Sequence, residues 1–219
     1  MNDGRTGEWR RERLRRSRLY VVTGARQDRG DLESFLEVIL AAGVDIVQLR
    51  EKEAEAGDVL RWAAAFRSAA IRHHALFVVN DRPDVAVACG ADGVHLGQSD
   101  LPVGWTRGFV GRDVLIGLST HDEVQLDGAP PEADYVCAGP VHETPTKPGR
   151  QATGVSLVRH AAETERRPWF AIGGISIETL PDVVAAGARR IVVVRAVTEA
   201  DDPAAAVRSL LEPLPPIDA

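Results

Sequence analysis

From Leu19 onward the chain alternates short β-branched runs with helix-like stretches, and no other feature narrows its fold as much. The runs are LYVVT, DIVQLR, ALFVVN, DGVHLG, VLIGLS, DYVCAG, WFAIGG and RIVVVR. Between them apolar residues recur three and four apart, the spacing of one helix face. LESFLEVILAAG is such a stretch, with Asp31 as its expected N-cap and Gly43 as its stop. GDVLRWAAAFRSAAIRHH, PDVAVACG, LPDVVAAGA and PAAAVRSLL are others. Strand followed by helix, repeated eight times, implies parallel strands joined by right-handed crossovers. Eight such units close into a (β/α)8 TIM barrel of the α/β class. The runner-up, an open doubly wound sheet, carries a G-x-G-x-x-G fingerprint after its first strand. Here that place reads TGARQDRG, so the barrel is expected, over residues 19–212. Residues 1–18 are read as an Arg-rich, flexible tail and 213–219 as a C-terminal tail.

A length of 219 residues suits one domain of this kind. With 44% hydrophobic and 26% charged residues, the chain is neither disordered nor fibrous. No apolar run approaches the roughly 20 residues of a membrane span. Cys89 and Cys137 lack metal-ligand spacing and read as buried packing residues in a reducing compartment. The stretch RTGEWRRERLRRSR sets seven Arg against two Glu in a chain of net charge −6. A nucleic-acid or membrane-surface arm is one reading of it, and a solvated, frayed tail is the preferred one. It lacks the apolar region of a secretory signal and the Ser-rich, acid-poor make-up of a transit peptide. The expectation is a cytoplasmic protein without nucleic-acid or membrane partners.

In a barrel the C-terminal ends of all strands meet on one face, where chemistry gathers. In strand two side chains alternate, so Ile46, Gln48 and Arg50 share the inward face and Lys52 continues it into the loop. An ion cluster with Glu51 and Glu53 is the plainer account of Lys52. Asn80 and Asp81 end strand three, and Asp100 follows strand four. Either aspartate alone is most simply a helix N-cap. On one rim beside Arg50, however, two carboxylates among anion-binding cations imply a metal between them. Mg²⁺, which takes one or two carboxylates together with phosphate oxygens and water, fits that role. Strand five turns Gly117 and Ser119 inward, while His121 is expected to cap the next helix and His95 to pack in the interior. The loop GPVHETPTKPGRQATG after strand six supplies Thr144, Thr146 and Lys147 and has the make-up of an active-site cover. Loops after strands seven and eight often bind phosphate through backbone N–H groups, and Gly173 and Gly174 permit close approach there. Arg50, Lys52, Lys147, two aspartates and one Mg²⁺ balance an organic diphosphate of about three negative charges. Two phosphorylated substrates meeting on one face is the resulting expectation.

These residues resemble the thiamine-phosphate synthase family from Leu19 to about Leu211. QLREK, VVND, GADGVHLGQSD, GLST, GPVHETPTK and AIGGI occur in family order, each weak alone and specific as a set. The resemblance implies a barrel that joins 4-amino-5-hydroxymethyl-2-methylpyrimidine diphosphate to a thiazole phosphate with Mg²⁺, giving thiamine phosphate and pyrophosphate. It implies that Gln48, Arg50, Lys52, Asn80, Ser119 and Lys147 hold the pyrimidine diphosphate, and that Asp81 and Asp100 bind the metal. Thr144 and Thr146 would contact the thiazole phosphate, with Gly174, Val194 and Arg195 at its phosphate. Two positions depart from the family pattern: Arg195 stands where Ser is common and Thr179 where Asn is common. Arg195 is read as a charged donor within the same function.

The expected reaction is a dissociative displacement in which Arg50, Lys52 and Lys147 stabilise the departing pyrophosphate and Ser119 holds the pyrimidine. No side-chain nucleophile is needed. The alternatives are an isomerase similar to thiazole tautomerase, which need not carry the diphosphate cations, and a non-catalytic phosphate-binding barrel. Partners are small-molecule substrates, and homo-oligomerisation is compatible with the fold.

Overall fold

The computed structural model describes residues 4–143 and 152–217. Eight parallel strands close on themselves in sequence order: β1 Leu19–Thr23, β2 Ile46–Leu49, β3 Leu76–Asn80, β4 Gly93–Leu96, β5 Leu115–Thr120, β6 Tyr135–Ala138, β7 Trp169–Ile172 and β8 Ile191–Val193. Closure is made where Leu19 pairs with Ile191 and Tyr20 with Val192. The expected (β/α)8 TIM barrel is thus the observed fold. Around it lie α2 Leu32–Ala41, α3 Ala56–Arg72, α4 Pro83–Cys89, α5 Val103–Val110, α6 Glu123–Asp127, α7 Ser156–Thr164, α8 Leu180–Ala185, α9 Arg195–Thr198 and α10 Pro203–Leu211. Among the described residues no helix is long and apolar enough to cross a membrane.

Strand alternation divides the core into two layers. Val21, Val47, Leu49, Phe77, Val79 and Ile116 face outward and join the helices in one cluster. Tyr20, Ile46, Leu76, Val78, Leu115, Tyr135 and Phe170 face inward and fill the barrel as a second. Three rings dominate that interior, Tyr20, Tyr135 and Phe170 meeting edge-to-face at 5.7–6.2 Å. Gly117 makes this possible, since a Cβ there would overlap the Tyr135 ring.

The N-terminal stretch overturns the sequence expectation of a frayed tail. It forms α1, Gly7–Arg16, capped by Thr6, whose Oγ1 accepts from the Trp9 amide at 3.2 Å. Leu14 is buried in the inner cluster at the bottom of the barrel. The arginines meet three aspartates that stand immediately before β2, β4 and β6. Arg13 pairs with Asp45 at 2.7 Å, Arg5 and Arg10 with Asp92 at 2.5 and 3.0 Å, and Arg11 with Asp134 at 3.0 Å. Each aspartate also takes a backbone N–H of a strand: Leu19 to Asp45, Phe77 to Asp92 and Ile116 to Asp134. The Arg run is therefore a lid over the N-terminal mouth, held by partners far away in sequence.

Local expectations are amended as well. Asp31 occupies the N-cap position of α2 but caps nothing with its side chain, which pairs with Arg26 at 2.7 Å instead. Asp122, not His121, caps α6; His121 Nδ1 donates to the Gly139 carbonyl at 2.6 Å. Cys137 is buried and Cys89 only partly so.

Candidate active site

The strand ends and the loops that follow them border three hollows at the C-terminal face. The first, about 40 Å³, is lined by Tyr20, Gln48, Arg50, Asn80, His95 and Ser119, among others. The second, about 380 Å³, runs over Ser119, Gly173, Gly174, Ser176, Val194 and Arg195. They share Ser119, Ile172, Val192 and Val194, so one is continuous with the other. The third is a shallower opening that takes in Asp81, Ser99, Asp100, Trp105 and Phe109. Residues from β2, β3, β4, β5, β7 and β8 thus converge as sequence reasoning expected. Thr144, Thr146 and Lys147 lie outside the described residues.

Arg50 sits just past β2, and its Nε is buried with no hydrogen-bond partner among the described residues. An orphaned guanidinium N–H costs about 1–3 kcal/mol, a cost that an anion entering the hollow would relieve. Lys52 is half exposed and stands 3.6 Å from Asp81 Oδ2. A pair that open to water contributes little, so a ligand competes with it easily.

Capping, the plain account of the two aspartates, fails. The N-cap positions of α4 and α5 are Arg82 and Pro102. Asp81 instead takes a left-handed φ of 62°, tolerable for Asp, and donates its amide to the His95 carbonyl at 2.8 Å. Asp100 Oδ2 accepts the Gly97 amide at 2.6 Å, while its Oδ1 has no partner among the described residues. Both carboxylates line the same opening. Among the described residues no group of three or more His, Cys, Asp or Glu is placed to hold an ion. Two hard carboxylate oxygens suit Mg²⁺, which completes its shell with water and phosphate.

The glycine turn after β7 has a second task. A Cβ on Gly173 would come within 2.5 Å of the Pro140 Cα, and one on Gly174 within 2.6 Å of the His142 Cβ. The two glycines therefore seat the base of the long loop after β6, as well as leaving their own backbone open to the hollow. Thr179 fastens the same turn, accepting from the Ser176 amide at 2.9 Å and donating to the Gly174 carbonyl at 3.1 Å. Arg195 is exposed at the rim of the larger hollow.

Alternation alone marked His95 as inward, but not what it does there. His95 Nε2 lies 2.9 Å from Ser119 Oγ, and its Nδ1 lies 3.2 Å from the Tyr135 hydroxyl. Tyr135 in turn meets Tyr20 at 3.2 Å, and Gln48 Nε2 donates to Tyr20 at 2.5 Å. Burial raises the pKa of both phenols far above the ordinary tyrosine value, so each remains a neutral O–H group. Gln98 was also missed: its Nε2 donates to the Ser119 carbonyl at 2.6 Å and ties the loop after β4 to the end of β5.

A family model described as thiamine monophosphate synthase matches residues 19–197. The chain is 54% identical over 209 residues to thiamine-phosphate synthase of Saccharopolyspora erythraea, covering 91% of this chain and 94% of that one. Thiamine-phosphate synthase of Mycobacterium tuberculosis is 54% identical over 210 residues, covering 90% and 95%. Among solved structures, thiamine phosphate pyrophosphorylase from Pyrococcus furiosus superimposes with a TM-score of 0.78 at 30% identity, over 91% of this chain and 95% of that one. A 3-hexulose-6-phosphate synthase, at TM-score 0.61 and 22% identity over 89% and 98%, shares the fold.

Proposed function

Because the chain belongs to the thiamine monophosphate synthase family, we propose that it is a transferase joining a hydroxymethylpyrimidine diphosphate to a thiazole phosphate, giving thiamine phosphate and pyrophosphate. The observation that supports this reading is the pair of hollows continuous at Ser119, one bordered by Arg50, whose Nε has no partner among the described residues, and the other by the glycine turn. Two ligands in those hollows would meet beside Ser119.

In the reaction the bond from the pyrimidine methylene to the diphosphate oxygen breaks, its electron pair leaving with pyrophosphate. The electron-rich aminopyrimidine carries the positive charge until the thiazole nitrogen forms the new C–N bond. Arg50, Lys52 and Lys147 stabilise the departing charge, a task for preorganised donors rather than acid–base groups. Gln48, Asn80 and Ser119 hold the pyrimidine. Thr144, Thr146, Gly174, Val194 and Arg195 hold the thiazole phosphate, with Arg195 adding a charge the family pattern lacks. Asp81 and Asp100 would hold Mg²⁺, which when bound neutralises diphosphate charge. No side-chain nucleophile enters. Small-molecule partners and a cytoplasmic setting go with this reading.

The deciding assay is pyrophosphate release with both substrates, each omitted in turn, with and without EDTA. Release that requires both substrates and stops with EDTA is expected. Chelator-insensitive isomerisation of a thiazole phosphate, or tight binding without turnover, would replace the proposal.

A further inference from the structure

Asp100 ends a turn, residues 97–100, that closes on itself. The Gly97 amide donates to Asp100 Oδ2 at 2.6 Å, and the Asp100 amide donates to the Gly97 carbonyl at 3.3 Å. A Cβ on Gly97 would stand 3.1 Å from that same carboxylate oxygen, so glycine leaves the acid its room. These two bonds fix the shape of the turn. They do not fix where the turn lies over the mouth of the barrel.

Gln98, inside the turn, supplies an anchor. Its Nε2 donates to the Ser119 carbonyl at 2.6 Å, across 21 positions of sequence. A carbonyl only accepts and a backbone amide only donates, so the main-chain partner settles the direction of each of these bonds. The β4–β5 ladder ends where Leu96 pairs with Leu118, and the Gln98 side chain joins the two segments beyond that end. Gln98 is itself exposed, so the bond rather than packing is what it contributes. On the other flank the Asp81 amide donates to the His95 carbonyl of β4 at 2.8 Å. Both aspartates are thus tied to the end of β4. Gln98 in turn ties that end to Ser119, which borders the smaller and the larger hollow alike.

We propose that Gln98 is a positioning residue for a divalent ion: by fixing the Asp100 turn to the Ser119 end of β5, it arranges the two carboxylates before the ion arrives. Mg²⁺ demands a near-octahedral set of oxygens. A carboxylate on an unanchored turn must be ordered as the ion binds, and that ordering weakens affinity. The inference rests on the proposed reading that Asp81 and Asp100 hold Mg²⁺, and adds the residue that sets their arrangement. A stitch that served stability alone would leave metal binding unchanged.

The test is calorimetric titration of pyrophosphate into the full chain, in EDTA and at one fixed, subsaturating Mg²⁺ concentration. In the wild type Mg²⁺ should tighten pyrophosphate binding. Gln98→Met keeps the length of the side chain and loses the donor. Its Kd in EDTA should match wild type, while its Kd with Mg²⁺ should rise about tenfold. Turnover should split the same way: half-maximal pyrophosphate release needs about tenfold more Mg²⁺, and kcat at saturating Mg²⁺ stays within about twofold. The thermal midpoint in EDTA should stay within about 4 °C of wild type. Should the Met variant not fold, Gln98→Ala carries the same expectations. A wild-type response to Mg²⁺ in the Gln98 variants overturns the inference, and so does a fall in kcat that saturating Mg²⁺ does not restore. Asp100→Asn, which keeps an oxygen for the Gly97 amide, tests the reading beneath and should lose the Mg²⁺ effect altogether. If Asp100→Asn keeps that effect, the metal assignment falls and takes the inference with it. If Asp100→Asn loses it while the Gln98 variants behave as wild type, the inference falls alone.

Discussion

Arg50 and Asp81 are the residues at which the proposed site is most directly tested. The Arg50 Nε has no acceptor in the described structure, although the fold surrounds it closely enough to bury it. Arg50→Lys keeps the charge and removes the planar fork. Loss of charge-assisted hydrogen bonds worth about 1.5–3 kcal/mol should lower kcat/KM for pyrophosphate release about ten- to a hundredfold, with the thermal midpoint unchanged or raised. Undiminished kcat/KM would remove Arg50 from the site. For Asp81, Asn is the discriminating replacement because both residues accept a positive φ. Asp81→Asn should fold as well as wild type and lose about a hundredfold or more of its turnover, measured at saturating Mg²⁺. The same positions show what a linear pattern can tell. Gln48 and Arg50 were legible because alternation along one strand fixes which way a side chain points, and Asn80 because it ends the neighbouring strand. The Tyr20–Tyr135 contact was not, since it joins residues 115 apart and exists only once the barrel has closed.

At the scale of elements, α1 is where sequence and structure part most widely. Seven arginines in a short stretch look like a solvated arm when their partners cannot be seen. Those partners stand before alternate strands, in GVDIV, GADGV and EADYV, and only the closed barrel gathers them beneath one helix. Asp92 is the most buried of them, its side chain 3% exposed and shared by Arg5 and Arg10. Removing both guanidinium groups strands a buried carboxylate, for which a loss of about 3–5 kcal/mol is usual. Arg5→Ala with Arg10→Ala should therefore lower the urea-unfolding free energy by about that much. Arg15→Ala, which loses only an exposed pair with Glu12, should stay within about 0.5 kcal/mol of wild type. Equal effects from the two changes would mean that α1 is not a lid. The helices around the barrel were easier to read, because their apolar spacing is local and α2 and α3 each bury one continuous face.

The whole molecule divides its labour between two ends, as barrels of this class do. Below, α1 closes the mouth with buried ion pairs and Leu14; above, the Arg50 Nε at the end of β2 has no partner among the described residues. The first arrangement stabilises the fold without a ligand, and the second leaves a cost that a ligand bound as proposed would remove. Barrel closure was legible because eight strand–helix units admit few other solutions, whereas nothing in a linear pattern says which mouth a basic helix covers. The division makes a measurable claim about coupling. A ligand that binds only the folded protein at a hundred times its Kd stabilises it by about 2.7 kcal/mol. Mg²⁺ with pyrophosphate should therefore raise the thermal midpoint of the wild type. The Arg5→Ala, Arg10→Ala protein should melt lower yet gain the same free energy from the ligands, because α1 lies at the opposite mouth of the barrel and effects of such separated sites add to within about 0.5 kcal/mol. Asp81→Asn should start at the wild-type midpoint and gain little. If the α1 variant lost the ligand-induced rise while Asp81→Asn kept it, the lower lid rather than the upper rim would govern diphosphate binding, and the assignment of the two ends would have to be exchanged.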